Sequence, residues 1–90
     1  MKKGRERMHI MSKKMAVMGL LVDNRCQNAP QLQEVLTEHG TIIRCRTGVS
    51  QENGNNGLIT LSLEADTEEI KNLEQELTQI GGVTVRTSYF

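Results

Sequence analysis

From residue 15 to residue 89 the chain runs through one strand–helix–strand–strand–helix–strand cycle, with each helix punctuated at both ends. No other feature constrains the fold as tightly. Apolar periods of 2 and of 3.6 residues are not interchangeable, so the order of the periods sets the order of the elements. Residues 15–22 are a continuous apolar run stopped by Asp23-Asn24, the pattern of a strand in the middle of a sheet covered on at least one face. Gly19 inside that run marks a close backbone approach or a local kink. A polar loop over residues 23–29 follows, and Pro30 suits the first turn of a helix, where its missing N–H costs nothing.

The first helix is expected over residues 29–39, with Leu32, Val35, Leu36 and His39 along one stripe and Gly40 in the left-handed stop conformation. Residues 41–49 then read as a strand that places Ile43, Cys45, Thr47 and Val49 on the inner side. Ile42, Arg44, Arg46 and Gly48 fall on the other side. Residues 51–57 are a Gly- and Asn-rich turn joining two antiparallel neighbours. Residues 58–64 alternate cleanly, with Ile59, Leu61 and Leu63 inward and Thr60, Ser62 and Glu64 outward. Asp66-Thr67-Glu68-Glu69 opens the second helix as an acidic cap; Ile70, Leu73, Leu77 and Ile80 form its stripe, and Gly81-Gly82 ends it. In the last strand Val83, Val85, Thr87 and Tyr89 share a face.

Two strand–helix–strand units in tandem give an α+β, ferredoxin-like βαββαβ sandwich. Right-handed crossovers place both helices on one face of a four-stranded antiparallel sheet, with the first and third strands central and the second and fourth at the edges. The opposite face is expected to be mixed, carrying Ile42, Arg44, Arg46, Thr60, Ser62, Thr84 and Arg86. A half-polar open face and unpaired edge strands favour a homo-oligomer, either a dimer or a tetramer.

Composition narrows the function classes. Ninety residues make one small domain, which buries about 60–65% of its unfolded surface and gains from self-association. Tyr89 and Phe90 are the only aromatic residues, so the core is built from Leu, Ile, Val and Met. No apolar run approaches the ~20 residues of a membrane span, and the N-terminus does not read as a secretory signal, which points to the cytoplasm. The zero net charge conceals a split: residues 1–14 set six basic side chains against Glu6, and residues 15–90 set five against ten acidic ones. The acidic body repels phosphate backbones, so direct DNA binding by the domain is not expected. The basic residues 1–14 form a flexible leader ahead of the domain at 15–90. Residues 2–7 can all be written in purine-only codons, as a translated ribosome-binding site would be, which leaves Met8 and Met11 as rival starts. The other reading of the leader is a basic arm that touches DNA or an acidic partner.

Little of the sequence carries chemistry. Cys45 alternates inward with Ile43 as a buried thiol, and Cys26 sits in a polar loop beside Arg25. Neither joins His9 or His39 at the spacing of a tight zinc site, and no cofactor motif is present. His39 in the last helical turn is accounted for by the helix dipole. The segment Gly54-Asn55-Asn56-Gly57 lacks the following Lys-Ser/Thr of a phosphate loop. The candidate ligand-binding residues are the arginines Arg44, Arg46 and Arg86 on the open face, beside the Asp23–Ala29 loop at the end of the first strand. Together they would suit a small anion or an amino acid at a subunit junction.

The stretches KKMAVMGLLVDNR (residues 13–25), EHG (38–40), RTGV (46–49), LITLSLEAD (58–66) and IGGVTVRTSYF (80–90) resemble the iron-only hydrogenase system regulator family. These are small ACT-like proteins similar to the ligand-binding C-terminal domain of nickel-responsive repressors. The resemblance spans residues 13–90 and implies a cytoplasmic regulatory module of [FeFe]-hydrogenase systems. It also implies an effector near the loop after the first strand, at Asp23, Asn24 and Arg25. The chain shows neither the histidine-rich ligand set nor the separate DNA-reading domain of those repressors. A non-enzymatic, small-molecule-binding homo-oligomer is therefore expected; the alternative is an assembly factor that docks a partner through its open face or an edge strand.

Overall fold

The computed structural model describes residues 13–23, 27–52 and 54–90. Most of the leader, and with it His9, lies outside the described residues, as do Asn24, Arg25 and Cys26 of the first loop. The elements are β1 (Lys14–Asp23), α1 (Ala29–Glu38), a 3-10 turn (Gly40–Ile42), β2 (Ile43–Ser50), β3 (Asn56–Ala65), α2 (Thr67–Thr78) and β4 (Val83–Tyr89). The sheet order is β2-β3-β1-β4, antiparallel throughout, which puts the first and third strands in the middle as the apolar run required.

Both helices pack on one side of this sheet. Ala16, Met18 and Leu20 of β1 meet Leu61, Leu63 and Ala65 of β3, and all of them bury against Leu32, Val35 and Leu36 of α1 and Ile70, Leu73 and Leu77 of α2. Each fully buried Leu, Ile or Met among them stabilises the fold by about 1.5–3 kcal/mol relative to exposure. Val83 and Val85 of β4 close the same layer as half-buried neighbours.

The two helices begin differently. At α2 the Asp66 carboxylate accepts from the Glu69 N–H at 2.8 Å, and the Glu69 side chain accepts from the Asp66 N–H at 3.4 Å, a reciprocal capping box. At α1 Asn28 makes no side-chain cap bond, and Pro30 at the start of the helix does the punctuating. The helices also end differently. Gly82 takes φ 87° beyond α2 and its carbonyl accepts from the Asp23 N–H at 2.8 Å, tying that turn to the end of β1. Gly40 does not adopt the left-handed stop expected of it. The chain instead tightens into a 3-10 turn in which the Ile42 N–H bonds the His39 carbonyl at 3.1 Å. The reason is packing: that turn rolls Ile42 into the core, where it is 7% exposed, so β2 starts at Ile43 and not at Thr41.

Candidate functional site

The sheet presents one covered and one open face, and the strand pairing decides which residues lie on each. Directly opposed residues share a face. Leu61 pairs with Met18 and Leu63 with Ala16, so their face is the helix side. Gly19 pairs with Thr60 and Arg86, and Leu21 with Leu58 and Thr84, so theirs is the open side.

Strand β2 departs from simple alternation. Its ladder slips between Ile43 and Cys45: Ile43 pairs with Leu63, but Cys45 pairs with Ser62 and Arg46 with Leu61. One extra residue in a strand reverses the facing of everything beyond it. Two expectations are corrected as a result. Cys45 is an exposed thiol on the open face and is not buried beside Ile43. Arg46 stands on the helix side, where its guanidinium donates to the Gln33 side-chain carbonyl of α1 at 3.0 Å.

The expected arginine cluster therefore does not assemble. Arg44, at the slip, reaches Glu64 at 3.8 Å, an exposed pair of small energetic weight. Arg86 lies on β4, the opposite edge, three strand spacings or about 14 Å away. Ile42, also expected on the open face, is in the core.

What the open face does carry is apolar. Met15, Val17 and Leu21 of β1, Leu58 of β3 and Val49 of β2 are all exposed there. Phe90 follows on beside Met15, bonding the Met15 carbonyl through its N–H at 2.9 Å. A signal for this was present in the sequence. Residues 15–22 are apolar at both parities, yet two helices cover only one parity, leaving 15, 17 and 21 without a cover.

Among the described residues, hollows border these elements. One of about 310 Å³ lies between the first turns of α1 and the turn end of the β2–β3 hairpin, with Val22, Leu32, Gln33, Gly48, Val49 and Ile59 among its walls. Of these, Val22 stands at the end of β1, and Ala29 at the start of α1 also lines it. A second, of about 240 Å³, holds Asp23 with Asn56, Gly82 and Thr84 at the end of β1. The third, of about 270 Å³, lies on the open face over Gly19, walled by Leu21, Leu58, Thr84 and Arg86.

His39, at the end of α1, meets Glu76 of α2 at 3.2 Å and so links the two helices. Desolvation, and secondarily the Glu74 carboxylate, raise the Tyr89 hydroxyl above its ordinary pKa of 10.0, so it stays protonated at neutral pH. Glu74 also accepts from the Thr87 hydroxyl at 3.1 Å. Among the described residues there is no group of three or more His, Cys, Asp or Glu side chains placed to hold a metal ion. None of the described helices is long and apolar enough to cross a membrane.

A family model described as "TM1266-like: Iron-only hydrogenase system regulator, putative" matches residues 14–87, the whole sheet and both helices. The chain belongs to this family. The solved structure of the uncharacterized protein TM1266 from Thermotoga maritima is similar at TM-score 0.82 and 29% identity, over 88% of this chain and 99% of that one. The regulatory subunit of aspartate kinase from Thermus flavus is similar in fold at TM-score 0.52 and 22% identity, over 81% of this chain and 51% of that one. No curated protein matches the sequence. The family and the fold are those the sequence resemblance pointed to, an ACT-like member of the iron-only hydrogenase system regulators.

Proposed function

We propose that this member of the family is a non-enzymatic regulatory module of the iron-only hydrogenase system, acting in the cytoplasm as a homo-oligomer that binds a small effector. The observation that carries the proposal is the hollow between α1 and the β2–β3 hairpin. It lies between the end of β1 at Val22 and the start of α1 at Ala29, combines apolar walls with the polar Gln33, and is open enough for a molecule the size of an amino acid. Gly48 forms part of its floor, and a side chain there would meet only ordinary contacts, the Leu58 carbonyl at 3.9 Å and Ile59 at 4.0 Å. Asn24 and Arg25 would supply the polar contacts from the loop, with Asp23 lining the neighbouring hollow at the end of β1, and Arg46, held by Gln33, would supply the contact from β2. Arg44 and Arg86 stand outside this arrangement, at the two edges of the open face.

The test is a thermal-shift screen with amino acids, nucleotides and metal ions, repeated on Gly48→Leu, which fills the hollow. A selective rise of several degrees with one ligand class, abolished in Gly48→Leu, supports the effector reading. Silence toward every ligand, together with co-purification of one particular protein, would favour a docking factor.

A further inference from the structure

We infer that the open face of the sheet is the surface through which two copies of this chain associate, face to face. This rests on the homo-oligomer reading above and goes beyond it by naming the surface. The first observation is where the exposed apolar side chains lie. Met15, Val17 and Leu21 run down the central strand of that face, and Leu58 and Val49 extend the band across β3 and β2. Scattered exposed apolar residues need no explanation, but a contiguous band across three strands on one face marks an interaction surface.

Charge argues that the occupant is a second copy. The open face carries equal numbers of both signs: Arg44 is paired with Glu64, and Arg86 on β4 and Asp23 at the end of β1 add one charge each. Stacking such a face on its own copy brings no excess of like charge together. The helix side is the reverse. Glu34 and Glu38 of α1 and Glu68, Glu69, Glu74 and Glu76 of α2 stand there against Lys14, Arg46 and Lys71, an excess of negative charge that repels its own copy. Two copies approaching in solution are steered away from the helices and toward the sheet.

Size and relief agree. Strands about 4.8 Å apart that rise about 3.3 Å per residue make the face roughly 19 Å by 27 Å, or on the order of 500 Å² per copy. Two such faces bury about 1,000 Å², the size at which a specific interface becomes credible. The missing side chain at Gly19 leaves the hollow between Leu21, Leu58, Thr84 and Arg86, with nothing within 4 Å of where a Cβ would stand. A protruding apolar side chain from the second copy fits into it.

The experiment uses the full chain, with mass measured by sedimentation equilibrium and melting temperature measured across a hundredfold range of concentration. The wild type should weigh at least twice 10.1 kDa at micromolar concentration and melt higher as concentration rises. Leu21→Arg and Leu58→Lys, each at a position exposed in the single chain, should weigh 10.1 kDa and melt independently of concentration, with unchanged far-ultraviolet circular dichroism. Variants that keep the wild-type mass would overturn the face while leaving the homo-oligomer reading intact. A wild type that stays at 10.1 kDa with a concentration-independent melt would overturn both, including the case in which a different protein occupies the face. If a variant fails to fold, the concentration dependence of the wild type, together with the remaining variant, still decides.

Discussion

The two halves of the molecule are built to the same plan and follow local sequence rules to different degrees. In the second half, β3 alternates without interruption, Asp66 and Glu69 close a reciprocal cap, and Gly82 takes the left-handed conformation beyond α2. In the first half, α1 starts without a side-chain cap, Gly40 enters a 3-10 turn, and the ladder of β2 slips at Arg44. The difference is that the second half sets its helix start and stop with residues close in sequence. The first half takes its shape from the core it has to meet.

Substitutions at matched positions would break or sharpen that contrast. The largest effect is expected at Leu61→Ala, which empties a fully buried site in β3 and should cost about 2–5 kcal/mol in chemical denaturation. Its counterpart Cys45→Ala, in β2, should change stability by less than about 0.5 kcal/mol, because the slip exposes that side chain. A loss at Cys45→Ala approaching that of Leu61→Ala would restore simple alternation to β2 and remove the slip.

A smaller effect separates the two glycines. Gly82→Ala forces a Cβ into the left-handed region and should lose about 1–2 kcal/mol. Gly40→Ala, outside that region and with open space around it, should be neutral or slightly stabilising. Equal losses at both positions in thermal melts would mean that Gly40 does terminate α1.

The smallest effect is at the helix starts. Asp66→Ala should cost about 1 kcal/mol through loss of the capping box. Asn28→Ala should cost little, since no cap bond is removed. The reverse order would transfer the capping role to the first half.

The same contrast explains what was legible beforehand. The strand order, the single helix layer and the cap of α2 follow from periods and from residues three or four positions apart. The facing of Cys45 and Arg46 does not. It depends on one added residue in the pairing with β3, and nothing in the order Ile43-Arg44-Cys45-Arg46 distinguishes a slipped strand from a regular one. The candidate site changed accordingly. Three arginines that share a strand face on paper divide between the helix side and two distant edges, and the apolar band took their place on the open face.

By itself the sequence determined the architecture, because hydrophobic period, turn residues and the handedness of crossovers act locally or through chirality. Only the tertiary structure decided which side chains β2 shows to each face and how α1 ends. Both depend on burying Ile42 and on the register with β3, contacts between residues far apart in the chain whose free energy exceeds the local preferences they override.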